Sequence, residues 1–93
     1  MQKNKRKKIS FSVEAVDAKE VHLVGEFNNW KQGAHLMKNN GKGRWAKQLQ
    51  LSEGTFEYKF LVDNQWVVDP KNEQACPNCF GTYNSIVSVN VSK

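Results

Sequence analysis

Alternating apolar and polar positions mark short strands along most of this chain. The clearest run is 55–62, in which the even-numbered residues are apolar and face one way while the odd-numbered residues face the other. Further runs occupy 9–14, 21–24, 35–38, 45–51, 65–68 and 84–91. No helical period of useful length appears. The pattern therefore predicts an all-β domain, a β-sandwich of about seven antiparallel strands.

Turn-forming residues separate these runs. Asn40-Gly41 is the strongest short hairpin signal, and Asp63-Asn64 predicts a two-residue turn between the fifth and sixth strands. A polar loop is expected over 71–82. The stretch 25–30 contains a glycine and two asparagines and ends in Trp30, so we expect a tight turn that carries an indole. From this turn alone, a buried and an exposed Trp30 are equally compatible.

Two of the three tryptophans are surplus to the expected core. Trp30 follows a turn, and Trp66 lies just beyond the predicted Asp63-Asn64 turn, near the outer surface of the fifth strand. Lys59 lies on the outer face of that strand, and we expect it to form a patch with both indoles and Asn84. Exposed apolar patches with polar rims usually mark binding sites. The aromatic residues that suffice for the core are Phe27, Trp45, Phe56 and Tyr58.

The chemistry of that patch suits a sugar. The flat face of an indole packs against the C–H-bearing face of a pyranose ring. Lysine offers donors, and asparagine offers both a donor and an acceptor, to the ring hydroxyls. Stacked aromatic side chains with lysine also serve single-stranded nucleic acids, so the patch alone leaves both ligand classes open.

The net charge of +5 is concentrated at the N-terminus. Five of the 14 basic residues lie within 3–8, and the remainder of the chain carries nine basic and nine acidic residues. We therefore expect residues 1–8 to be a basic, disordered tail and 9–93 to be one binding domain. The basic tail is also a candidate for contact with nucleic acid or an anionic surface, but the neutral body makes nucleic acid an unlikely partner.

Neither a membrane segment nor a secretory signal is predicted, because no apolar run is long enough and acidic residues follow the basic start. We expect a cytoplasmic protein. Cys76 and Cys79 lack the further ligands of a zinc site and the helix of a redox motif, so they are interpreted as two loop thiols. Asp63, Asp69 and Glu57 do not suggest a glycosidase pair, and no nucleophile motif appears. We predict no catalysis, no metal and no cofactor.

Five segments follow one another in order and spacing: 21–30 (VHLVGEFNNW), 43–45 (GRW), 51–60 (LSEGTFEYKF), 62–66 with 69–70 (VDNQW and DP) and 80–85 (FGTYNS). Together they resemble a family 48 carbohydrate-binding module. Such modules include the glycogen-binding domain of the β subunit of AMP-activated protein kinase and the early-set domains at the front of isoamylases and glycogen-branching enzymes. The resemblance covers about 9–91 and is more specific than any single motif.

The resemblance implies an immunoglobulin-like, early-set sandwich that binds α-1,4-linked glucans such as glycogen and starch fragments. By matching position, Trp30 and Trp66 would stack on glucose units. Lys59 and Asn84 would hydrogen-bond their hydroxyl groups. Phe80 would supply an apolar contact with the curved glucan, and Thr82 would add a hydroxyl contact. A glucan-active enzyme or a kinase subunit is the protein partner that the resemblance implies.

This chain departs from the family pattern at three places. Asn64 replaces a glycine, and it tolerates left-handed backbone angles. Ser85 replaces the second residue of an Asn-Asn pair, which puts one hydrogen bond to sugar in doubt. The sequence 76–79 (CPNC) lies in the binding loop, where a disulfide would change the presentation of Phe80. An alternative function is a scaffold domain that keeps the fold and binds a protein instead of sugar, although both tryptophans, Lys59 and Asn84 are retained.

Overall fold

A computed structural model describes residues 6–78 and 81–90, and within them the chain forms eight strands in two antiparallel sheets. The sheets form a sandwich, which confirms the predicted all-β, immunoglobulin-like early-set fold class. A 3₁₀ turn spans Glu26–Asn28. The strands are β1 (Arg6–Glu14), β2 (Val21–Gly25), β3 (Lys38–Asn39), β4 (Arg44–Ser52), β5 (Gly54–Val62), β6 (Gln65–Val67), β7 (Ala75–Pro77) and β8 (Tyr83–Val89).

Strand β5 is the centre of the second sheet. The first sheet has the order β1-β4-β3, and the second has the order β2-β5-β8-β7 with β6 also paired to β5. Residues 58–62 of β5 pair with β2 on one edge. On the other edge, 54–58 pair with β8 and 60–62 pair with β6. One strand therefore contacts three others, and its side chains reach both faces of the sheet.

The segment 35–39 passes from one sheet to the other. Its first half pairs with β2, since Leu23 N donates to His35 O at 2.9 Å and Met37 N donates to Val21 O at 2.8 Å. Its second half is β3, in which Lys38 lies opposite Ala46 of β4. The predicted strand over 35–38 is therefore divided between the sheets, and Met37 at the crossing is buried in the core.

The core lies between the sheets and contains the predicted aromatic side chains. Trp45 is only 6% exposed, and its indole Nε1 donates to Ala15 O at 3.1 Å, so its assignment to the core is confirmed. Phe27 and Phe56 pack against the buried cluster from its margin. The buried cluster comprises Phe11, Val13, Val21, Leu23, Met37, Trp45, Leu51, Tyr58, Phe60 and Val89.

The start of the first strand and the predicted loop 71–82 differ from the sequence prediction. Strand β1 begins at Arg6 instead of Ile9, because its ladder with β4 continues through Lys8 opposite Gln50 to Arg6 opposite Ser52. The last three residues of the predicted tail 1–8 are thus in a strand, while 1–5 lie outside the described residues. Strand β7 lies within the predicted loop 71–82, where it pairs with β8.

The last strand is also shorter than predicted. It is described as Tyr83–Val89, whereas the alternation predicted a strand over 84–91. Val89 is buried as expected, Val87 is partly buried against the core, and Val91 lies outside the described residues.

A buried polar network joins β5 and β8 to the loop that follows β6. The Tyr58 hydroxyl donates to Asp69 Oδ2 at 2.6 Å, and Asn72 Nδ2 donates to the Tyr58 oxygen at 3.0 Å. Asp69 N donates to Ser85 Oγ at 2.9 Å. Burial, and then the hydrogen bond to the Asp69 carboxylate, raise the pKa of Tyr58 far above its usual value. Ser85 is fully buried, so its side chain faces this network and not the outer surface.

Removing the buried hydroxyl tests this network. Tyr58→Phe takes away the donor that satisfies the buried Asp69 carboxylate, so we expect the free energy of unfolding to fall by about 1–3 kcal/mol in urea denaturation. The matched control is Tyr83→Phe, because Tyr83 is 55% exposed and should change stability by less than about 0.5 kcal/mol. Equal stability of the two variants would contradict the network.

Candidate functional site

An open groove of about 900 Å³ lies on the outer face of the second sheet. It brings together five of the six predicted site residues, and the sixth, Phe80, lies outside the described residues. Its lining residues are Trp30, Glu57, Lys59, Trp66, Val68, Asn78, Thr82 and Asn84.

Asn28 holds the turn that carries Trp30. Its Oδ1 accepts from Gly25 N at 3.0 Å, and its Nδ2 donates to Leu23 O at 3.1 Å. The turn closes where Trp30 N donates to Gly25 O at 2.8 Å. A side chain larger than that of glycine does not fit at Gly25, since a Cβ there would lie 2.6 Å from the Glu57 carbonyl oxygen. The turn therefore packs directly against β5.

The backbone at Trp30 is strained. Asn29 and Trp30 have φ values of 58° and 59°, in the left-handed region. Asparagine adopts these angles readily, but for a bulky side chain such a conformation costs on the order of 1–3 kcal/mol. The hydrogen bonds of Asn28 hold the turn in spite of this cost, and the result is an indole that lies at the groove.

Trp66 is presented by a tight hairpin. Asp63 and Asn64 have φ values of 47° and 70°, as a two-residue turn with positive angles at both positions requires, so Asn64 serves where the family has glycine. The Asp63 carboxylate accepts from Lys19 N and Glu20 N, with the shortest contact at 2.8 Å. Trp66 lies opposite Leu61 in the pairing of β6 with β5, so both side chains are on the outer face of the sheet. The neighbouring indole accounts for the burial of Leu61 on that face.

The exposure of the indoles separates them into two classes. Trp30 is 36% exposed and Trp66 is 46% exposed, against 6% for Trp45. The prediction that two tryptophans are surplus to the core is therefore confirmed. Both surplus indoles line the same groove.

The floor of the groove is polar but nearly closed to solvent. Lys59 and Asn84 are each 7% exposed. Lys59 Nζ donates to Thr82 Oγ1 at 3.1 Å, and Asn84 Nδ2 donates to Glu57 Oε1 at 2.9 Å. These bonds satisfy part of the hydrogen-bonding capacity of two buried polar groups, which would otherwise be costly to bury.

Three lining residues were not predicted as site residues: Glu57, Val68 and Asn78. Strand alternation carries a signal for the first, since Glu57 precedes Lys59 by two positions and shares its face. Val68 follows Trp66 by two positions in the same way. Asn78 carried no such signal, because β7 and the turn beyond it lay in a stretch predicted to be a loop.

Cys76 lies beside the floor, because it is opposite Asn84 in the pairing of β7 with β8 and therefore shares its face. It is a free thiol, and burial raises its pKa, as do a hydrogen bond to Glu57 and the negative charges of Glu57 and Glu26. A raised pKa keeps the thiol protonated at neutral pH and lowers its reactivity. Cys79 lies outside the described residues.

Two partly exposed indoles beside a floor of ammonium and amide groups offer stacking surfaces and hydrogen-bonding groups in one groove. Comparison with known proteins agrees with this chemistry. A family model described as the glycogen recognition site of AMP-activated protein kinase matches residues 8–93. The chain belongs to this family. As a member of the glycogen-recognition family, the domain is a non-catalytic glucan-binding module, and the scaffold alternative is not favoured.

Relatives in the family are subunits of a kinase. The chain is 42% identical over 71 residues to the 5'-AMP-activated protein kinase subunit beta-1 of Sus scrofa, covering 76% of this chain and 55% of that protein. It is 40% identical over 74 residues to the subunit beta-2 of Homo sapiens, covering 80% of this chain and 26% of that protein. The chain thus spans between a quarter and about half of the length of these relatives.

A solved structure shares the fold. The crystal structure of maltogenic amylase from S. marinus superposes with a TM-score of 0.79 at 22% identity, covering 94% of this chain and 14% of that one. Within the residues described here, no helix is long and apolar enough to cross a membrane.

His35 supports the Trp30 turn in its neutral form. Asn28 Nδ2 lies 2.8 Å from His35 Nδ1, and because Asn28 Oδ1 already accepts from Gly25 N, the amide must donate to an unprotonated ring nitrogen. Burial, and then the charge of Lys47, lower the pKa of His35 from its ordinary value of 6.5.

Acid should therefore weaken the fold through His35. A lowered folded-state pKa means that the stabilisation is fully present above about pH 6.5 and is lost as the pH falls through the lower folded-state pKa. We expect the free energy of unfolding, measured by urea denaturation, to fall between pH 7.5 and pH 4.5. In His35→Gln this fall should be smaller, because the part due to His35 is gone. In the control, His22→Gln, the part due to His35 should remain. A His35→Gln profile identical to that of the wild type would contradict the assignment.

Proposed function

We propose that the groove between Trp30 and Trp66 binds α-1,4-linked glucans, with the two indoles as stacking platforms and with Lys59 and Asn84 as hydrogen-bonding groups. One observation carries the proposal: two indoles that the core does not use line one groove, whose floor contains a buried ammonium and a buried amide. The apolar C–H face of a glucose ring gains from contact with indole, while its hydroxyls need partners at the ring edge.

The groove is suited to binding and not to hydrolysis. Glycoside hydrolysis ordinarily needs two carboxyl groups on either side of the scissile bond. Among the described lining residues, Glu57 is the one carboxylate. Asp63 is engaged by backbone N–H groups at its turn, and Asp69 is buried in the polar network behind the sheet. This distribution supports a role without catalysis.

We further propose that the domain directs a larger assembly to glucan, as part of or bound to a kinase subunit or a glucan-active enzyme. The family and the kinase subunits among its relatives support this context. The contact of Phe80 with the glucan, the absence of nucleic-acid binding and a cytoplasmic location stay predictions.

Loss of either platform tests the proposed site. We expect Trp30→Ala and Trp66→Ala each to weaken binding of maltoheptaose and β-cyclodextrin by about 30-fold or more, because buried tryptophan contacts are commonly worth about 2 kcal/mol or more in an interface. Isothermal titration calorimetry measures the loss, and circular dichroism checks that each variant stays folded.

Leu36→Ala is the control for this experiment, since Leu36 is 51% exposed and is not among the lining residues of the groove. Its affinity should match that of the wild type. Cellohexaose, the β-1,4-linked counterpart of maltohexaose, should bind at least about tenfold more weakly than maltohexaose. Wild-type affinity in both tryptophan variants would contradict the proposed platforms.

A further inference from the structure

The polar side chains of the groove form a hydrogen-bonded chain. It runs from Lys59 to Glu57 and consists of four links. Lys59 Nζ donates to Thr82 Oγ1 at 3.1 Å, and the same oxygen contacts the Asn78 amide, at 2.8 Å from Nδ2 and 3.1 Å from Oδ1. Asn78 Nδ2 donates to Asn84 Oδ1 at 2.9 Å, and Asn84 Nδ2 donates to Glu57 Oε1 at 2.9 Å. We call this the Lys59–Glu57 relay.

The Glu57 end of the relay determines how its two amides are oriented. An ionised carboxylate has only acceptors, so Asn84 must direct its Nδ2 to Glu57 and its Oδ1 to Asn78. Asn78 must then direct its Nδ2 to Asn84. Asn78 is the central member, because its Nδ2 also lies 2.8 Å from Thr82 Oγ1 and its Oδ1 also accepts from Thr82 N at 3.1 Å.

Thr82 joins Lys59 to Asn78. Its Oγ1 accepts from Lys59 Nζ and lies 2.8 Å from Asn78 Nδ2. Its backbone N donates to Asn78 Oδ1 at 3.1 Å, so the Asn78 amide contacts both the side chain and the main chain of Thr82. Lys59 has two further N–H groups and Asn84 has one further N–H group for a ligand.

The relay is also joined to the turn that carries Trp30. Glu57 N donates to Glu26 Oε1 at 2.9 Å, and Glu26 is the first residue of the 3₁₀ turn before Trp30. Glu57 thus connects the polar floor to one of the two indole platforms. A continuous network of hydrogen bonds limits the arrangements that are open to its side chains.

We propose that Asn78 and Glu57 are positioning residues that preset Lys59 and Asn84 for a sugar, with Thr82 as the group through which Asn78 holds Lys59. This inference rests on the proposed function, since it explains how the groove is organised before ligand arrives. A preset floor lowers the ordering cost at binding and so raises affinity without an additional contact.

Asn78→Asp tests the relay with almost no change of shape. It keeps the acceptor for Thr82 but replaces the donor to Asn84 Oδ1 with a carboxylate oxygen. Asn84 cannot simply rotate its amide, because its oxygen would then face Glu57. We expect the dissociation constant for maltoheptaose, measured by calorimetry, to rise about tenfold or more. Gln50→Glu is the control, since it makes the same charge change at an exposed position of β4.

A double-mutant cycle separates positioning from a general structural effect. In an Asn84→Ala background, Asn78→Asp should weaken binding by less than about twofold, because the group that it positions is gone. The same loss of affinity with and without Asn84 would overturn the inference. If the wild type does not bind maltoheptaose, the proposed function is wrong and this inference is wrong with it. If the wild type and Asn78→Asp bind equally well, only this inference is wrong.

The free wild-type protein supplies a second test that needs no variant to fold. Relay bonds should slow solvent exchange of the side-chain amide protons of Asn78 and Asn84, measured by nuclear magnetic resonance. We expect exchange at least about tenfold slower than for the exposed amide of Asn64. Equal exchange rates for the three residues would overturn the relay.

Discussion

The burial of β5 on both of its faces is the constraint on which the rest of the structure depends. Tyr58 and Phe60 face the core, while Lys59 and Leu61 on the opposite face are also buried. Apolar contact is sufficient for the inner face, but a buried ammonium needs hydrogen-bond partners. Thr82 Oγ1 is such a partner, at 3.1 Å from Lys59 Nζ, and it is contacted in turn by the Asn78 amide. The polar floor of the groove is thus also a requirement of the fold.

The two indoles are presented by different means. Trp66 stands on a hairpin whose asparagine and aspartate readily adopt positive φ, so its position costs little. Trp30 is itself in the left-handed region and is held there by Asn28, Gly25 and a neutral His35. Such strain persists only where surrounding bonds impose it, and it commonly accompanies functional sites. The position of the Trp30 indole is therefore the part of the groove that depends most on the hydrogen bonds around it.

Strand alternation and turn chemistry predicted most of the strands and many of the residues that line the groove. The period-two run over 55–62 placed Lys59 and Glu57 on the outer face, and the need of the core for only one tryptophan left Trp30 and Trp66 at the surface. The division of 35–39 between two sheets could not be predicted, because it depends on tertiary pairing. Asn78 was missed for a related reason: its role arises from bonds to Thr82 and Asn84 that only the folded loop creates.

A titration of the ¹⁵N-labelled protein with maltoheptaose, followed through its indole N–H signals, tests the central claim most directly. The chain has three tryptophans and hence three such signals, one of which is an internal control. We predict that the signals of Trp30 and Trp66 shift and saturate together, while that of Trp45 stays in place because its Nε1 donates to Ala15 O in the core. Three unmoved signals, or a shift of Trp45 as large as the others, would contradict a glucan site between Trp30 and Trp66.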